Sequence, residues 1–84
     1  MKSSKKHKEQ QRNIIGRRVR EARFAQNPSC SQDDLAGRLA VHGIVIDRSA
    51  VSRLEREERY AMDFEVLALA KVLNVSVAWL YGEK

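Results

Sequence analysis

From Asn13 onward the apolar positions Ile15, Val19, Ala22 and Ala25 or Gln26 recur at steps of three and four, while Arg17, Arg18, Arg20 and Glu21 fall between them. That is the spacing of one buried helix face opposite a solvated one, and it predicts a first helix. Asn27-Pro28-Ser29 closes it, because proline lacks an amide proton to extend the ladder and disfavours a helical residue before it. Ser31-Gln32-Asp33-Asp34 reads as a helix start, with a hydroxyl to accept from a free amide and carboxylates at the positive end of the dipole. Leu35, Ala36, Leu39 and Ala40 form the buried stripe of this second helix, and Gly43 is its stop. Ile44-Val45-Ile46 has strand-like composition, but so short a run between two helical patterns is read as an apolar turn. Asp47 then caps a third helix, with Val51 and Leu54 inward and Arg48, Ser49, Ser52, Arg53 and Arg56 outward.

Glu57 to Met62 is a polar connection. Asp63 caps a fourth helix with Val66, Leu67, Ala70 and Leu73 as its inward positions, and Asn74 ends it. Ser76 caps a short fifth helix, Val77 to Tyr81, before Gly82. The expectation is an all-α, compact five-helix domain over residues 12–84. It is preceded by a flexible basic arm, residues 1–11, which has no apolar residue after Met1 to offset the entropy of ordering.

A chain of 84 residues with 43% hydrophobic and 32% charged residues has the composition of one folded domain with a single core. Its net charge of +5 is unevenly placed. Residues 1–20 carry eight basic residues against one acid, and residues 21–84 carry eight against ten. A local positive patch points to a polyanionic partner, nucleic acid or a membrane surface. A membrane anchor would interleave apolar residues with the lysines, which the arm lacks, and the longest apolar run, Val66 to Ala70, is too short to span a bilayer. No apolar signal core follows the basic start, so a cytoplasmic protein is expected.

The single cysteine, Cys30, cannot form an intrachain disulfide, and with only His7 and His42 there is no zinc ligand set. No metal and no cofactor are expected. A Gly-rich phosphate loop is absent, no third group orients a Cys–His pair, and Asp33-Asp34 and Glu57-Glu58 are neighbours whose side chains diverge. A non-enzymatic protein is the expectation.

Three blocks in order, Ser31-Gln32-Asp33-Asp34-Leu35-Ala36, Ser49 to Arg56 and Leu67 to Leu80, make the chain resemble the Cro/CI-like, lambda-repressor-like family of helix-turn-helix domains. The resemblance runs from about Ile15 to Gly82. It implies that the third helix lies in the DNA major groove while the second crosses the backbone. Arg48, Ser49, Ser52 and Arg53 are then the base-contacting candidates, because arginine can donate two parallel bonds to guanine and serine is short enough for close approach. Gln32 matches a phosphate-contacting position, and Arg23, Arg56 and Arg12 are further phosphate candidates. Arg23 and Glu55 match a family ion pair. Two departures stand out: the segment Val41–Asp47 is longer than the family's tight turn, and Glu57 occupies a position where many members have glycine.

These implications make the protein a sequence-specific double-stranded DNA-binding regulator, a repressor acting as a homodimer on a palindromic operator. Trp79, Leu80 and Tyr81 are the candidate dimer contacts. Alternatives are an antitoxin or restriction-modification controller of the same fold, or a protein-interaction module with a basic tail.

Overall fold

The computed structural model describes residues 11–83 and contains α1 (Gly16–Ala25), α2 (Gln32–Val41), α3 (Arg48–Glu55), α4 (Asp63–Leu73) and α5 (Val77–Leu80), with no strand among the described residues. The fold is all-α, as the apolar spacing predicts. Of the basic arm, only Gln11 lies within the described residues, and its Nε2 donates to Glu57 Oε1 at 3.0 Å.

Helix starts are written locally. Ser31 Oγ accepts from the Asp34 amide at 2.9 Å while the Ser31 amide donates to Asp34 Oδ2 at 3.0 Å, a reciprocal cap that satisfies two otherwise free amides. These bonds hold the Asp34 carboxyl below its usual range. Asp47 Oδ1 accepts from Ala50 at 2.8 Å and Ser76 Oγ from Trp79 at 2.9 Å, so α3 and α5 begin where expected. In α4 the expected cap, Asp63, is instead the first helical residue. The Glu65 carboxylate reaches back to the Met62 amide at 3.0 Å and does the capping.

Helix ends share one device. Gly43, Glu57, Asn74 and Gly82, just past α2 to α5, all have positive φ, at 82°, 65°, 59° and 88°. Each turns the chain back so that its own amide and the next close on the last carbonyls, as in Gly43 N to Ala40 O (3.0 Å) and Ile44 N to Leu39 O (3.0 Å). After α3 the same pair is Glu57 N to Leu54 O (3.0 Å) and Glu58 N to Arg53 O (2.8 Å). Glycine and asparagine take this conformation readily, and Glu57 is the one of the four that does not. The glycine common at that position in the family therefore has a conformational reason.

The core gathers Ile15 just before α1 and Val19 from α1, Leu35 and Leu39 from α2, Val51 and Leu54 from α3, Val66, Leu69 and Leu73 from α4, and Leu80 from α5. Leu67, expected inward, is 50% exposed, and Leu69 takes the inward place. The buried positions Val66, Leu69, Ala70 and Leu73 follow steps of three, four and seven from Val66, whereas a step of one turns Leu67 about 100° away. Ala25 and Ala40 are likewise exposed rather than part of the buried stripes.

α3 packs against both α2 and α1. At its closest approach, a Cβ built on Gly16 would collide with the Leu54 carbonyl oxygen and lie 2.7 Å from that of Glu55, so only glycine lets α1 start this close to the end of α3. Asn13 secures the same junction. Its Oδ1 accepts from the Ile15 and Gly16 amides at 3.0 and 2.9 Å, and its Nδ2 donates to Leu54 O at 3.1 Å and Arg59 O at 2.8 Å. Arg59 in turn forms a two-pronged ion pair with Glu65, at 3.1 and 3.2 Å, which holds the connection into α4.

Candidate nucleic-acid interface

The outer face of α3 is polar because its inner face is fully used. Ala50, Val51 and Leu54 are buried, which leaves Arg48, Ser49, Arg53 and Arg56 exposed and Ser52 half-buried. The long cations lie along their own helix: Arg53 Nη1 donates to Ser49 Oγ at 3.1 Å, and Arg56 Nη1 to Ser52 Oγ at 2.7 Å. Arg56 Nη2 also pairs with Glu58 Oε1 at 3.0 Å. Between this face and the start of α2 lies an open cleft of about 320 Å³ lined by Gln32, Arg48, Ser49, Ser52 and Arg56. Five of the residues singled out in the sequence are thus brought around one concavity.

Behind the cleft sits a buried polar cluster. Arg23 donates through Nε to Glu55 Oε2 at 2.7 Å and through Nη2 to Glu55 Oε1 at 2.9 Å, and through Nη1 to the Cys30 carbonyl at 2.9 Å. Both residues are only 6% exposed, and the Phe24 ring lies 4.6 Å from the guanidinium. The hydrogen bonds that Arg23 donates to Glu55 raise its pKa against the opposing effect of burial. The expected ion pair is present, but the expected phosphate contact of Arg23 is a misplacement: its donors are turned inward and enclosed. Gln32 carries the network to the surface, with Nε2 bonded to Glu55 Oε1 at 3.1 Å, so its carboxamide is oriented at the first residue of α2.

The remaining candidates separate from the cleft. Arg12 stacks over Tyr60 at 5.2 Å, donates to its hydroxyl at 3.3 Å, and lines a different hollow with Ile14, Ala61 and Tyr81. Trp79 is half-buried with Arg18 stacked over it at 4.5 Å, and Tyr81 is exposed. Leu80, grouped with them as a dimer contact, is 0% exposed and belongs to the core, where no second copy can touch it. Cys30 is buried, and burial pushes its thiol pKa up.

A family model described as helix-turn-helix matches residues 29–80, more than half of the chain. The protein belongs to this Cro/CI-type helix-turn-helix family. Comparison with curated proteins and with solved structures gave no match. The family is one of DNA-binding regulators, and double-stranded DNA is the partner it brings. In this helix-turn-helix, α2 and α3 are the motif helices and the matched segment ends with α5. No helix among the described residues is long and apolar enough to cross a membrane.

The apolar pattern and the resemblance give no role to Asn13 or Gly16. An asparagine just before an apolar-periodic run is itself a helix-start signal, so Asn13 was findable. The role of Gly16 depends on carbonyls about forty residues away and leaves no local trace.

Proposed function

We propose that this helix-turn-helix protein reads a specific double-stranded DNA sequence with α3 and represses transcription by occupying a promoter, as a homodimer on a palindromic operator in the cytoplasm. The observation that carries the reading is the cleft between the α2 start and the outer face of α3, where polar and cationic side chains surround a concavity and no apolar one lines it. Arg48, Ser49, Ser52 and Arg53 act on base edges, with the two arginines suited to guanine O6 and N7. Gln32 and Arg56 act on phosphate, Gln32 beside the free amides of the α2 N-terminus. The arm lysines Lys2, Lys5, Lys6 and Lys8 add sequence-independent attraction.

A single domain buries only about 600–1,000 Å² on DNA, which favours two copies on a two-fold site. Tyr81 with the neighbouring exposed Ile14, and Met62, Phe64 and Leu67 near the start of α4, offer apolar surface for that contact.

Selection of bound sequences from random DNA, followed by titration of wild type and Arg53→Ala on selected and random duplexes at two salt concentrations, tests the reading. The expected loss for Arg53→Ala is about 1–3 kcal/mol on the selected site with relaxed preference at one base position per half-site. A wild type without sequence preference would overturn sequence-specific readout, and one protomer per full palindrome at saturation would overturn the dimer.

A further inference from the structure

The cations on the outer face of α3 are held differently in the free protein. Arg53 donates to a neutral hydroxyl, whereas Arg56 is paired with a carboxylate, Glu58, at 3.0 Å. Local backbone geometry makes this pair. Glu57 at φ 65° reverses the chain, the Glu58 amide closes on Arg53 O at 2.8 Å, and the Glu58 side chain meets that of Arg56 from beyond the helix end. Their side chains are 57% and 49% exposed, so the pair is open to a competing anion. Both groups are ionised at neutral pH, and their mutual hydrogen bond holds the Arg56 pKa up and the Glu58 carboxyl below its ordinary range.

We propose that Glu58 is an internal counter-anion for Arg56 that a DNA phosphate must displace, so that this side chain limits the electrostatic share of the affinity. The inference rests on the reading that the α2–α3 cleft meets DNA. A phosphate reaching Arg56 exchanges one anion for another and leaves the Glu58 charge beside it. Arg56 therefore contributes less to binding, and less to its salt dependence, than a free arginine. Phosphates carry no sequence information, so the restraint falls on all DNA alike and leaves discrimination to Arg48, Ser49, Ser52 and Arg53.

The test is Glu58→Gln, which keeps the shape and an acceptor oxygen but removes the charge. It is titrated on selected and random duplexes across a salt series, alone and with Arg56→Gln. Thermal melts confirm an intact fold, and Glu21→Gln on α1 makes the same change in net charge on another element. Glu58→Gln should tighten both DNAs by a similar several-fold factor at low salt and steepen the slope of log K against log salt by up to about 0.9, the increment for one more neutralised phosphate. The effect should largely vanish in the Arg56→Gln background, and Glu21→Gln should leave the slope unchanged. Unaltered affinity and slope for Glu58→Gln overturn the proposal. An equal tightening with and without Arg56 also overturns it, by making Glu58 a plain repulsive charge. A wild type with no salt-dependent DNA binding overturns the DNA reading of the cleft itself, a distinguishable failure.

Discussion

Gly16→Ala and Gly37→Ala make the same covalent change at the first residue of α1 and in the middle of α2 and should move stability in opposite directions. Alanine is favoured over glycine in a helix interior by about 1 kcal/mol, because it restricts the unfolded chain and shields the backbone. Around Gly37, exposed on α2, a new Cβ meets nothing within 4 Å, so Gly37→Ala should raise stability by about 0.5–1 kcal/mol. At Gly16 the new methyl would overlap the Leu54 carbonyl oxygen and lie 2.7 Å from the Glu55 carbonyl oxygen. Those are backbone atoms of the last turn of α3, which cannot rotate aside as a side chain could. Overpacking of this kind costs about 1–3 kcal/mol, and at the first residue of α1 the propensity gain is smaller than in a helix interior, so Gly16→Ala should be less stable by about 1–2 kcal/mol. Urea unfolding followed by far-ultraviolet circular dichroism reads both, provided the slope with denaturant is unchanged. The melting temperature should shift by about 4–8 °C per kcal/mol for a domain of this size. Displacing the end of α3 also moves Arg53 and Arg56, so Gly16→Ala should weaken DNA binding while Gly37→Ala leaves it unaltered. If Gly16→Ala proves as stable as wild type, the close α1–α3 approach is not what places glycine there.

Three further outcomes are expected. Arg23→Met leaves the Glu55 carboxylate buried without its partner and should cost about 3–5 kcal/mol, much of it recovered by Arg23→Met/Glu55→Met; denaturant melts of both variants check the coupling. Burial tends to raise the Glu65 pKa, but the bonds from Arg59 and Met62 outweigh it and hold the folded value below normal. The stabilisation from Glu65 is therefore present above its unfolded pKa of about 4.3 and is lost as pH falls through the lower folded value, and Glu65→Gln should flatten stability measured from pH 5 downward. Deleting residues 1–10 removes Lys2, Lys5, Lys6 and Lys8 and should weaken binding to all DNA while lowering the salt slope by about 0.9 for each phosphate no longer neutralised. An unchanged slope would make the arm a bystander.

Helix boundaries are legible in the sequence because their determinants are local. Ser31, Asp47 and Ser76 accept from amides three residues on, and Gly43 and Asn74 turn the chain at the residue itself. Facing is less legible in α4, where nearly every residue is apolar and periodicity gives little contrast, so the pattern puts Leu67 inward where the structure has Leu69. The cleft residues follow from the polar face of α3 together with the family resemblance. The enclosure of Arg23 and the burial of Leu80 do not, since a charged side chain and a terminal leucine give no sign of what covers them. Glu57 is visible as a departure from the family's glycine, but its left-handed backbone and its consequence for Glu58 and Arg56 arise only from the folded turn after α3.

The family match begins at residue 29, after α1 has ended, yet Asn13, Gly16 and Arg23 of the preceding segment hold the end of α3 in place. The proposed reading side chains and the contacts that aim α3 are thus encoded in separate stretches of chain. A chimera that joined residues 29–83 to a different leading helix would keep every proposed base contact and still address DNA at a different angle. Swapping this motif between relatives therefore transfers its recognition only when the junction formed by Asn13, Gly16 and Arg23 travels with it.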